Sequence, residues 1–171
     1  MSFITQTNSG NTILINAEQD GAANNVFVSG HDFIIKDIGD EFELTTSANS
    51  FQVSVGTGEG IINGRTIRAD ATNTITLSAS TTSYLVLRID LTQTYGNEGM
   101  LYALTSLASM QTDNLNSGGS KRDMLLATIT TNASGVSNVV DNRDIRGTMF
   151  ASGTSLPLSA NEGDIFFLYE A

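Results

Sequence analysis

The stretch Phe51–Ile67, FQVSVGTGEGIINGRTI, restricts what this chain can fold into more than any other. Phe51, Val53 and Val55 alternate with Gln52 and Ser54, the period of a strand with one buried face. Gly56, Gly58 and Gly60 follow at every second position, then a short apolar run and Asn63-Gly64. That dipeptide suits a type I′ hairpin, whose central positions both need positive φ, and Arg65-Thr66-Ile67 begins the return strand. The glycines raise the question of a phosphate cradle. A Walker loop requires a lysine followed by Ser or Thr after its last glycine, and none is present. A dinucleotide fingerprint opens a helix, whereas GxGxG here leads into a hairpin, so no helix N-terminus offers converging N–H groups. The glycines are therefore read as marking a bulge or close crossing in a β-structure, with Asn63-Gly64 setting the register.

Hydrophobic residues make up 40% of the 171 and charged residues only 15%, and Ser, Thr, Asn and Gly are abundant, which favours strands and turns over helices. Phe33–Lys36, Phe42–Thr46, Ile75–Ala79, Gly99–Leu107, Met124–Thr130 and Val136–Val140 read as further strands, and Asn11–Ile15 as a short first one. Tyr84–Leu91 is the most apolar run. Leu85, Leu87, Ile89 and Leu91 share one face, and Tyr84, Val86, Arg88 and Asp90 share the other, so it reads as a central strand. Leu125, Ala127 and Ile129 are expected on one face of their strand. A single helix is expected over Asn16–Val28, with Asn16 as cap, Gln19 at the capping-box position, and Ala22, Ala23, Val26 and Phe27 at helical spacing; Gly21 weakens it by about 1 kcal/mol. Asp164–Tyr169, beyond a turn at Leu156-Pro157, reads as a last strand.

About ten strand candidates with turn signals roughly every ten residues predict a mainly β fold, an antiparallel β-sandwich with one short N-terminal α-helix. It is expected to be a single domain over residues 1–171, with 147–171 as a candidate for a separately packed tail.

The formal net charge is -10, which disfavours nucleic acid and anionic membrane surfaces as partners. No run of 18 apolar residues suggests a membrane span, and the start MSFITQTNSG lacks the features of a secretory leader, so the chain is expected to be soluble and made in a cytoplasm. Cysteine is absent, which removes thiol chemistry and makes structural zinc improbable with His31 as the sole histidine. His31 is read as a surface-loop residue and Asp32 as part of a turn. For calcium, Asp37, Asp40, Glu41, Asp141 and Asp144 lie in turns, but Asp113–Gly118 departs from the EF-hand pattern by placing Leu115 at a ligand position. No nucleophile motif accompanies His31 and no spacing singles out a carboxylate pair, so no catalytic residue, cofactor or metal is expected. Arg88, Asp90, Asp141 and Arg143, with Asp144 beside the last, are read as structural ion-pair residues tying strand ends. Tyr84, Tyr95, Tyr102 and Tyr169, with the polar loop Ser109–Asp123, are the candidates for sugar stacking.

The order of these segments is similar to a known family. FQVSVGTGEGIINGRTI, TITLS, YLVLRIDLT and LLATITTNASGVSNVVDNRDIRG together resemble the N-terminal module of tailed-phage baseplate and receptor-binding proteins. In that family a V-x-V-G-x-G-x-a-x-i-x-G strand pair precedes an R-x-D strand, and a later L-A-x-I hairpin closes with D-x-R. The counterparts here are Val53–Gly64, Arg88–Asp90, Leu126–Ile129 and Asp141–Arg143. The helical segment Asn16–Val28 resembles the short helix that begins such modules, and LPLSANEGDIFFLYE resembles the ending of small tail-region proteins. The likeness spans residues 12–147. It implies a "shoulder"-type sandwich without enzyme activity that attaches other tail or baseplate proteins in the virion. Members of this kind continue into a trimeric stalk and a carbohydrate-binding head, whereas this sequence has no heptads or repeats after Arg146. The expectation is therefore a compact adaptor, monomeric in isolation or trimeric, with binding of a host cell-wall saccharide as the alternative role.

Overall fold

The structure, a computed structural model, describes residues 17–27, 30–94, 98–147, 150–153 and 165–168. Its elements are helix α1 (Ala17–Phe27) and strands β1 (Phe33–Gly39), β2 (Leu44–Thr46), β3 (Gln52–Val55), β4 (Gly58–Ile62), β5 (Arg65–Ala69), β6 (Asn73–Thr76), β7 (Thr82–Asp90), β8 (Gly99–Leu104), β9 (Lys121–Thr131), β10 (Val136–Asp141), β11 (Ile145–Arg146), β12 (Phe150–Gly153) and β13 (Ile165–Leu168). One layer of the sandwich is the antiparallel sheet β10-β9-β7-β8; the other is formed by β11-β1-β4-β5 and β2-β3-β6. The core between them joins Leu85, Leu87, Ile89, Leu126 and Ile129 to Ile34, Ile62, Ile67, Val53, Val55 and Leu77. β12 and β13 pair in parallel with each other within the segment expected as a tail. The first-strand and cap positions Asn11–Asn16, the Leu156-Pro157 turn, Tyr95 and Tyr169 lie outside the described residues.

The Phe51–Ile67 stretch crosses from one sheet to another. β3 pairs with β2 and β6, whereas β4, after Gly56-Thr57, pairs with β1 and β5. Each glycine admits a different neighbour. A Cβ on Gly56 would lie 2.8 Å from Asp40 Cβ, one on Gly58 would lie 2.8 Å from Phe42 N, and one on Gly60 would lie 3.0 Å from the Phe33 carbonyl. Gly58 matters most because Phe42 is fully buried with φ 55, a left-handed backbone unusual for a bulky residue. The N–H groups that a phosphate would need are already engaged: Gly56 N donates to Glu43 O and Thr57 N to Asp40 Oδ2. Asn63 (φ 51) and Gly64 (φ 78) close the β4–β5 hairpin in the conformation the dipeptide predicts.

Several expectations are corrected. The pairing of β7 with β9 shifts between Leu85 and Val86, facing Ala127 and Leu125, so Leu126 is the additional residue of a bulge. Met124 and Leu126 therefore point inward before it and Ala127 and Ile129 after it, leaving Leu125 half-buried instead of in line with them. β8 ends at Leu104, and Leu107–Ser109 forms a 3₁₀ turn capped by Ser106 Oγ accepting from Ala108 N at 3.2 Å. The charged run Asp141–Gly147 contains β11, which pairs in parallel with β1 through Ile34 and Ile145. Helix α1 exists, but it is turned away from the orientation its apolar spacing suggests: Val26 is 78% exposed and Ala22 and Ala23 face solvent, while Gly21 is buried. The cause is close approach. A Cβ on Gly64 would collide with Gly21 O and lie 2.6 Å from Asn25 N, so the helix rests on the hairpin turn backbone to backbone.

Gly58→Ala drives a methyl into the Phe42 main chain and ring, and is expected to destabilise the fold by about 1–3 kcal/mol in urea denaturation.

Candidate functional site

Period-two geometry gives the β10-β9-β7-β8 sheet two faces. Leu85, Leu87 and Ile89 of β7, with Leu101 and Ala103 of β8, belong to the core side. Tyr84, Val86 and Arg88 therefore point outward, beside their cross-strand partners Leu104, Tyr102 and Met100 of β8 and, for Val86 and Arg88, Leu125 and Asp123 of β9. This outer face is apolar where a solvated sheet face is ordinarily polar. Val86 on it has 0% exposure, and Tyr84, Met100, Tyr102, Leu104 and Leu125 are half-buried.

The Arg88–Asp123 ion pair on it is compact. Arg88 Nε donates to Asp123 Oδ1 at 2.6 Å and Nη2 to Oδ2 at 2.8 Å, with the guanidinium 4.5 Å above the Tyr102 ring centroid. The Asp123 side chain is 0% exposed, and its Oδ2 also accepts from Gln111 N at 2.8 Å. The bonds to Asp123 raise the Arg88 pKa above its ordinary value. Tyr102 is further occupied by donating to Met100 Sδ at 3.1 Å.

Arg88 and Asp90 thus both serve structural pairs, but each reaches across to β9. Asp90 accepts from Thr92 through its hydroxyl at 2.6 Å and its N–H at 3.0 Å, and from Lys121 Nζ at 3.1 Å. These donors, the Thr92 hydroxyl foremost, hold the Asp90 carboxyl well below the usual range. Asp141 and Arg143 pair with each other, Nη2 to Oδ2 at 2.7 Å, and Arg143 Nη1 donates to Glu41 O at 2.9 Å, tying the end of β10 to the β1–β2 turn. The Arg143 hydrogen bonds lower the Asp141 pKa. Asp144 pairs with Arg146 at 2.8 Å.

Asn63 ties three residues far from it in the chain. Its N–H donates to Asp32 Oδ1 at 2.7 Å, its Oδ1 accepts from Leu115 N at 2.7 Å, and its carbonyl accepts from Asn116 Nδ2 at 2.8 Å. Asp32 Oδ2 in turn accepts from Arg122 Nε at 2.8 Å. Asp32 is therefore a bridge between layers as well as a loop residue, a role that sequence reasoning missed because Arg122 lies 90 positions away. The Ser109–Asp123 segment, read as a polar loop, ends in the first residues of β9 and is internally bonded: Leu115 is 2% exposed, and Asp113 Oδ2 accepts from Ser120 N and Lys121 N at 3.0 and 3.1 Å, which lowers the Asp113 pKa. His31 is exposed, and among the described residues no group of three or more His, Asp or Glu is placed to hold a metal ion.

A cleft of about 360 Å³ opens beside β8, floored by Phe42, Val55, Ile67, Leu87 and Leu101 and rimmed by Arg68, Asp70 and Asn73. No protein-family model matches the chain, and no curated protein matches it.

Arg88→Met leaves Asp123 buried with Gln111 N as its remaining donor, and should cost about 3–5 kcal/mol in chemical denaturation, most of it recovered in the double replacement with Asp123→Leu. The depressed carboxyls of Asp90, Asp113 and Asp141 stabilise the fold above their unfolded pKa of about 3.9. That stability is lost as pH falls below about 4, and Asp90→Asn should flatten the decline in urea midpoint measured down to about pH 2.

Proposed function

We propose that this chain is a structural adaptor of a tailed-phage tail tip or baseplate, holding other virion proteins by surface complementarity and performing no catalysis. The observation that carries the reading is the outer face of the β10-β9-β7-β8 sheet. Around the fully buried Val86, the part-exposed Tyr84, Met100, Tyr102, Leu104 and Leu125 make it apolar, and its charges are paired, Arg88 with Asp123 and Lys121 with Asp90. Apolar patches rimmed by polar residues serve protein contacts. On this reading the phage-module likeness supplies the context, and the pairs Arg88–Asp123 and Asp141–Arg143 keep the surface in shape without touching a substrate. The product is made in the host bacterial cytoplasm and ends in the tail region of the virion.

Binding of a host cell-wall saccharide is the second reading, favoured by Tyr84 and Tyr102 lying on neighbouring strands of that face. It is weakened by Arg88, which already covers one side of the Tyr102 ring.

Mass spectrometry of purified virions should detect the chain in tail-tip fractions, and its absence from the particle would sink the adaptor reading. Binding to host cell-wall polysaccharide that is lost in Tyr84→Ala would favour the saccharide instead.

A further inference from the structure

Among the described residues, β8 is an edge strand written as an interior one. Its residues Met100–Leu104, MLYAL, carry no charge and no proline, and all are half-buried. Runs apolar on both faces belong to strands covered on both sides and flanked by neighbours. The other edges of the three larger sheets carry protection. β11 has two residues and β2 three, β6 is the polar NTIT, β5 carries Arg65 and Arg68, and β10 carries Asn138, Asp141 and a register irregularity. Short length, charge and bulges are the usual defences of an edge, and β8 has none of them.

The backbone phase is settled by Asp90 N donating to Glu98 O at 2.8 Å, which makes that facing pair a hydrogen-bonded one. Alternation along β8 then turns the N–H and C=O of Leu101 and Ala103 away from β7, toward the open edge. The side chains of Leu101 and Ala103 face the core, beside the 360 Å³ cleft floored by Phe42, Val55, Ile67 and Leu87. Met100, Tyr102 and Leu104 face outward. A strand added here meets apolar surface on both of its faces, so it must itself be extended, uncharged and apolar on both sides.

We propose that this strand is β8 of a second copy, paired antiparallel so that Leu101 of each chain faces Ala103 of the other. β8 meets every requirement it imposes. The symmetric pairing joins two four-stranded sheets into one, places Leu101 and Ala103 of the second copy toward the cleft, and continues the outer apolar face across the junction. The contact itself brings no like charges together. Each chain carries -10, and the edge is an uncharged stretch along which two such chains can approach. The pairing does not depend on the tail-tip role, so virion composition and oligomeric state fail separately.

Sedimentation velocity and light scattering over about a hundredfold range of concentration should show a dimer, since its fraction follows mass action. Ala103→Pro removes an N–H that points away from β7, so it should give a monomer with an unchanged circular-dichroism spectrum and cooperative unfolding. Should that variant fail to fold, Leu104→Lys on the outer face decides, with dimer affinity expected to fall about tenfold or more. Amide exchange at Leu101 and Ala103 should slow as the dimer forms. A wild-type chain that stays monomeric, a dimer that survives both variants, or a monomer whose Leu101 and Ala103 amides are already protected by another segment of the same chain would overturn the proposal.

Discussion

One residue holds the two layers in place. Asn63 occupies a left-handed turn position that few side chains tolerate, and its three hydrogen bonds run to Asp32, Leu115 and Asn116. It is 5% exposed and Leu115 2%, so without their bond a buried N–H and a buried amide oxygen would lack partners. Through Asp32 the chain of bonds continues to Arg122 at the start of β9, and through Leu115 to the loop that seals one end of the core. Helix α1 depends on the same turn, because Gly64 leaves room for its backbone. Asparagine is suited to this position: it accepts positive φ at modest strain, and its amide oxygen can serve a backbone donor in the loop beside it.

The ion pairs follow the same logic of closure. Arg88–Asp123 and Lys121–Asp90 bind β7 to β9 across the sheet, and Arg143 binds the end of β10 to the carbonyl of Glu41. The shifted protonation of Arg88, Asp90 and Arg143 reflects well-satisfied hydrogen bonds, the same physics that tunes catalytic groups but put to structural use. Arg88–Asp123 also fixes the Tyr102 ring beneath the guanidinium on the outward face of the sheet.

Much of this fold was legible in local pattern. Alternation in Phe51–Val55 and Tyr84–Asp90, and the Asn63-Gly64 turn, announce strands and a hairpin because side-chain period and backbone φ are local properties. What was illegible depended on distant residues. The bulge at Leu126 arises from how β9 meets β7, and it shifts the inward face by one residue without any glycine to mark it. β11, two residues long, is a strand because Ile34 lies beside Ile145. The helix leaves Ala22, Ala23 and Val26 in solvent because Gly21, which looked like a weakness, sits buried against Asn116 and Arg65, and Gly64 leaves room for the helix backbone. Likewise Arg88 and Asp90 could be recognised as ion-pair residues from their spacing on one strand, but their partners on β9 could not.

The contact between Arg143 and Glu41 joins positions 102 apart in the chain. During synthesis at about 5–20 residues per second, the β1–β2 turn leaves the ribosome roughly 5–20 seconds before its clasp exists. For that interval Ile34 and Phe42, both fully buried at the end, belong to a sheet with one side still unmade. The late C-terminal segment thus acts as the closing step of assembly, and a chain interrupted before Asp141 would present its apolar interior to whatever lies nearby.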